Sequence, residues 1–79
     1  MFERHGVTLE QAAEALTDGD AIVFDPDPAS RSGLSLRVIG WSDNAGAVLT
    51  IVLVRHEGRL YGSNGWRANS RDVRTYLEA

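Results

Sequence analysis

Apolar residues recur along this chain in two rhythms, and the change from one to the other organises it. Leu9, Ala12, Ala13 and Leu16 stand at i, i+3, i+4 and i+7, the stripe of an amphipathic helix. Thr8 before them and Gln11 three residues on form a capping-box pattern, and Val7 and Ala12 occupy the two positions of a hydrophobic staple. Gly19 supplies a stop. The pattern predicts a helix over 9–17 with Glu10 and Glu14 on its solvated side. Ahead of it, Gly6 closes a stub of helix over residues 2–5, too short to stand alone.

From Ala21 the rhythm is that of strands. Ala21 to Phe24 is a short β-rich run, and residues 25–33 are too dense in Pro, Asp, Ser and Gly to pair inside a sheet. Leu34, Leu36 and Val38 alternate with Ser35 and Arg37. The phase slips at Ile39, which places a bulge at Gly40 and Trp41. Residues 42–46 carry hairpin chemistry, with positive φ accessible to Asn44 and Gly46. Ala47 to Val54 is apolar on both faces except at Thr50, as a central strand covered on both sides must be. Glu57-Gly58 is a two-residue hairpin signal, and the chain returns as a last strand from Arg59 to Gly65. Gly62 and Gly65 within it fit a sheet edge or a place of close backbone approach. Trp66 then falls in a polar link. Asn69 caps a closing helix over about 70–78, with Asp72 at its third position and Val73, Tyr76 and Leu77 as a narrow apolar stripe. Helix, four-stranded antiparallel meander, helix: the expectation is an α+β fold, one domain over residues 1–79.

Length changes how much that fold can rely on itself. A chain of 79 residues buries only about 60–65% of the surface its unfolded form exposes, and without cysteine it has no disulfide to help. A partner, either a second copy or another protein, is expected over a lone monomer. No apolar run approaches the ~20 residues of a membrane span, and residues 1–5 lack a secretion-signal layout, so the expected setting is cytoplasmic.

Charge adds a direction. The net charge is −3, but residues 1–30 carry −6 and residues 31–79 carry +3, all the positive charge being arginine. A phosphate-bearing partner would dock on the C-terminal half. There Arg67, Arg71 and Arg74 crowd around the start of the last helix. Forked guanidinium donors hold a phosphodiester bidentately and stabilise charge in its transition state. The same arginines also read as a solvated helix face pairing with Asp72 and Glu78. His5 and His56 are the side chains that titrate near neutrality and so the candidates for proton transfer. His5 beside Gly6 equally reads as a cation at a helix end, and His56 as the end of a strand. Trp66, with Arg59 and Asn69, is the candidate contact for RNA or a partner. Trp41 and Tyr76 read as core. The aspartates show no calcium-loop spacing, and the glycines show no phosphate-loop pattern, so neither a metal nor a cofactor is expected.

Two segments resemble a known family. Arg4-His5-Gly6-Val7-Thr8-Leu9-Glu10-Gln11-Ala12 is close to the K/R-H-G-V-x-F-x-E-A of the BrnT toxins, ribonuclease-type members of type II toxin–antitoxin pairs. The 66–76 stretch sits where that family has S-A-R-x-A, three variable positions and E-R-x-x-Y, and Ala68 and Tyr76 keep the spacing. Between them Ile39-Gly40-Trp41-Ser42 matches I-G-x-S. In the positions of the family's arginines stand Trp66 and Val73, with Arg67 and Arg74 as their neighbours, and the family's strand and most of its first helix before K/R-H-G are expected to be missing ahead of Arg4. The resemblance implies a RelE-like α+β fold, translation inhibition by RNA cleavage without metal, and a ribbon–helix–helix antitoxin that masks the toxin. Read so, Arg67, Arg71 and Arg74 hold phosphate while His5 or His56 moves protons. The alternative is a non-enzymatic module of the same fold that binds protein or nucleic acid through Trp66 and the arginines.

Overall fold

The computed structural model describes residues 6–79; His5 and the residue 2–5 stub lie outside them. The elements follow in the order α1 (Leu9–Leu16), β1 (Ile22–Phe24), β2 (Ser35–Ser42), β3 (Ala47–His56), β4 (Arg59–Arg67) and α2 (Ser70–Glu78). The strands form one antiparallel sheet in the order β1-β2-β3-β4, so β3 is interior and β4 an edge. The α+β architecture with one helix at each end of the chain is the one its patterning predicts.

Both helices start as their caps dictate. The Thr8 hydroxyl accepts from the Gln11 N–H at 3.1 Å, and the Gln11 side chain accepts from the Thr8 N–H at 3.1 Å. Asn69 Oδ1 accepts from the Asp72 N–H at 2.8 Å. The β3–β4 hairpin turns on Glu57 and Gly58, both at positive φ, as a two-residue turn matching the strand twist requires.

Side chains alternate across a sheet, so register assigns each to a face. Val38, Gly40, Leu49 and Ile51 face α1, while Arg37, Ile39, Trp41, Thr50 and Trp66 face α2. The dry core beneath α1 is Val7, Ala12, Ala15, Leu49 and Ile51. The staple residues Val7 and Ala12 do meet there, but the helix is rotated from its predicted stripe: Ala15 is buried and Leu9 is 70% exposed. The reason lies at Gly40. A Cβ there would stand 2.2 Å from the Ala15 carbonyl oxygen, so the helix backbone rests directly on the strand with alanines, not leucines, at the contact.

Three further expectations are corrected by the same packing. β2 and β3 pair without interruption from Ser35–Val54 to Ser42–Ala47, so no bulge occurs at Gly40; the irregularity lies on β4, opposite Val52 and Leu53. Ile39 breaks the alternation because both faces of β2 are covered. Glu14 is half-buried and tied down rather than free in solvent, since its Oε1 accepts from Ser42 Oγ at 2.6 Å and from the Asn44 N–H at 2.9 Å. Asn44 serves as a strut to α1, receiving Gln11 Nε2 on Oδ1 at 3.0 Å, and Gly46 alone in that turn takes positive φ.

Trp41 is not core either. It is 40% exposed at the end of β2, its indole N–H donating to Asp43 Oδ1 at 2.7 Å. On the other face of the sheet, below α1, an apolar groove of about 610 Å³ stays open, walled by Leu9, Leu16, Val23, Leu36, Leu53 and Leu60.

Candidate functional site

The α2 side of the sheet concentrates the polar chemistry. Thr50, wholly buried in β3, donates its hydroxyl to Asp72 Oδ2 at 2.9 Å. Arg37 reaches across from β2, with Nη1 3.5 Å from the same oxygen and Nε 3.2 Å from Asp27 Oδ1. Nε lacks a hydrogen-bond partner despite that short distance, so its contact with Asp27 is an ion pair without a shared proton line. Asp27 is in turn fixed by the Ala29 N–H at 3.0 Å and by its own N–H on the Ser35 carbonyl at 2.7 Å. One guanidinium therefore sits between two buried carboxylates, and this core is net negative by one charge.

Over that network lies a cavity of about 280 Å³ lined by Phe24, Pro28, Ala29, Arg37, Arg71, Asp72 and Thr75. The loop that walls it is folded on itself through Asp27 and Ser30. Arg71, on the first turn of α2, is exposed at its mouth and makes no ion pair among the described residues.

A second patch occupies the part of this face that α2 leaves uncovered. Tyr61, Asn64 and Trp66 project from β4 to the α2 side, with His56 and Arg59 as a cross-strand pair at the hairpin end. The His56 and Tyr61 rings meet edge to face at 6.2 Å between centroids. His56 Nε2 lies 3.9 Å from Glu57 Oε1, an exposed contact.

The three arginines of the C-terminal stretch do not form one cluster. Arg67 pairs with Leu49 and so faces α1; its Nη2 donates to the Ala45 carbonyl at 3.4 Å. Arg71 and Arg74 are exposed on α2, with Arg71 alone at the cavity. His56 stands six residues along β3 from Thr50, about 20 Å away at strand rise, so it does not reach a phosphate held by Arg71. Trp66 lies within β4 rather than in a link, half-buried opposite Thr50. Asn69 already uses its carbonyl to cap α2.

Arg37 and Asp27 are not among the residues that patterning singles out, and Thr50 stands out only as the break in an apolar strand. Arg37 sits at a polar position of an alternating strand and reads as solvated. Thr50 carried the one usable signal: a lone hydroxyl in a strand buried on both faces must find a partner.

A clasp ties the helices' far ends together. Asp18, just after α1, accepts from the Tyr76 hydroxyl at 2.6 Å and from the Trp41 N–H at 2.8 Å on Oδ2, and from the Asp20 N–H at 2.9 Å on Oδ1. These bonds, Tyr76's first, hold the Asp18 carboxyl below its usual range. The same bond, then desolvation, pushes the Tyr76 phenol up to about 12.

No family model matches this sequence, and comparison with curated proteins and with solved structures yields no match. Residues at which the chain matches the BrnT pattern have physical work of their own in this fold. Gly40 seats α1, Ser42 bonds Glu14, and Tyr76 closes the clasp. They are scaffold. The positions that depart from the motif are Trp66, on the α2 side of β4, and the pair Asp72-Val73 on α2 itself.

Proposed function

We propose that this chain is an RNA-directed toxin domain of BrnT-like type, ribonuclease in class, that meets RNA with the α2 side of its sheet. One observation carries the reading. Apart from Arg67, the candidates within the described residues share that side: Arg59, His56 and Trp66 on the open strands, and Asn69, Arg71 and Arg74 at α2. The exposed Tyr61 and half-buried Trp66 rings, on the side that carries these guanidinium groups, suit single-stranded RNA, whose bases stack and whose phosphates need cations. In this scheme Arg71 and Arg74 grip backbone phosphates. His56 is the proton-transfer group, with Arg59 beside it to neutralise a scissile phosphate. A ribbon–helix–helix antitoxin would mask this surface.

Expression of the chain alone in a bacterial host tests it. Arrested growth with cleaved RNA is expected, and Arg71→Ala with Arg74→Ala should relieve the arrest while the protein stays folded. Normal growth and intact RNA from well-folded protein would sink the ribonuclease reading.

The distance between His56 and α2 favours a second reading, a non-enzymatic module on the same fold that binds RNA or protein through Trp66 and the arginines. RNA bound but never cut, with a stable partner co-purifying, is its signature.

A further inference from the structure

The cavity beside α2 has a chemistry of its own. Its walls are of two kinds: Phe24, Pro28 and Ala29 are flat and apolar, whereas Arg37, Asp72 and Thr75 are polar. Bare phosphate suits it poorly, because Asp72 is in the wall and the buried network behind it is already net negative. A purely apolar ligand would strand Asp72, of which only Oδ2 has a partner among the described residues, in Thr50 and Arg37. The fitting ligand has a flat ring for the apolar wall, an N–H donor for the free carboxylate oxygen, and an anionic group for Arg71 at the mouth. At about 280 Å³ the cavity lies just under the roughly 300 Å³ where pockets for whole small molecules begin. It has room for one ring system and its sugar.

We infer that this cavity receives a single unstacked nucleobase bearing an exocyclic amino group, with the adjoining phosphate on Arg71. Carboxylates accept from the cytosine amino group in this way, and bases taken out of a stack are held by their pairing edge and by flat side chains. The inference rests on the RNA reading above and adds to it a place where sequence is read. Uracil, with a carbonyl in place of the amino group, would set oxygen against carboxylate. The loop carrying Pro28 and Ala29 is braced through Asp27, so the wall is formed before the base arrives.

Heteronuclear magnetic resonance on the labelled full chain tests this with cytidine 5′-monophosphate, uridine 5′-monophosphate and cytidine. The cytidine nucleotide is expected to shift the amides of Phe24, Ala29 and Thr75 and to bind about tenfold more tightly than the uridine one, the worth of one hydrogen bond to a charged group. Cytidine should bind more weakly than its monophosphate, and Arg71→Ala should erase that gap while leaving the base preference. Because the decisive comparison changes the ligand, it does not depend on an Asp72 variant folding. Equal affinity for the two nucleotides, or no shift at the cavity with either, overturns the inference. An RNA oligonucleotide that moves Tyr61 and Trp66 but leaves the cavity amides still also overturns it, and leaves the RNA reading standing. Cytidine monophosphate in the cavity of a chain that binds no RNA oligonucleotide supports the pocket and removes the RNA reading.

Discussion

At the scale of single residues, half-buried Asp18 gathers bonds from distant parts of the chain. Three donors from three parts of the chain converge on its carboxylate. Its pKa is depressed in the fold, so the unfolded chain binds more protons in the window between the folded and unfolded values. Stability therefore rises with pH through that window. The contribution is complete above the ordinary aspartate value of about 3.9 and is lost as pH falls through the folded one. Tyr76 works the other way: its contribution is whole below about 10 and fades as pH climbs towards its folded value of about 12. Asp18→Asn should lower stability at pH 7 by about 1 kcal/mol, below the roughly 1.5–3 kcal/mol of a bond to a charged group because solvent screens this half-buried site. Urea titrations at several pH values check this. The gap between parent and variant should narrow below pH about 4, and a gap that stays constant down to pH 2 would assign the loss to something other than ionised Asp18.

At the scale of elements, the seat of α1 decides the fold's tolerance. The Cβ of Gly40→Ala would collide with the Ala15 backbone at 2.2 Å, and a helix backbone has no rotamer with which to yield. Overpacking of this kind should destabilise by about 3 kcal/mol, seen as a lower urea midpoint. A loss under about 1 kcal/mol would mean that α1 is not held down on β2. The same contact explains why helix starts and the last hairpin turn were legible and helix faces were not. Thr8 with Gln11, Asn69, and Glu57-Gly58 each act within a few residues, so local chemistry announces them. Which side of α1 meets the sheet depends on a glycine 25 positions beyond Ala15, and small alanines carry no hydrophobic weight against the leucines beside them. The α2 stripe misleads for a related reason. Leu77 is exposed while Asp72 is buried, because a carboxylate with Thr50 and Arg37 as partners goes under more readily than a terminal leucine with none. Of the candidate site, the concentration of cations and rings on the C-terminal elements was legible. Arg67's departure to the other face was not, since one residue along a strand reverses direction and the strand's end had been placed two residues early.

At the scale of the whole molecule, an asymmetry along the chain becomes one between faces. The acid-rich opening segment forms α1 and its exit, whereas Arg71, Arg74 and Arg59 look out from the opposite side. Arg55, on the α1 side, is held by a bidentate contact with Asp25 at 3.0 and 3.3 Å. A polyanion thus meets one favourable surface and one that repels it. No helix among the described residues is long and apolar enough to cross a membrane.

The two tryptophans stand on the same side of the sheet, opposite Val48 and Thr50 on neighbouring rungs of β3. The molecule therefore carries its own optical label for one face. Trp41, on the water side, should emit at long wavelength and be quenched by iodide, and half-buried Trp66 should emit further to the blue. A nucleic acid settling on the α2 side should quench the blue component and shield it from iodide, and Trp66→Phe should abolish that response. Contact made only beneath α1 should leave the spectrum as it was.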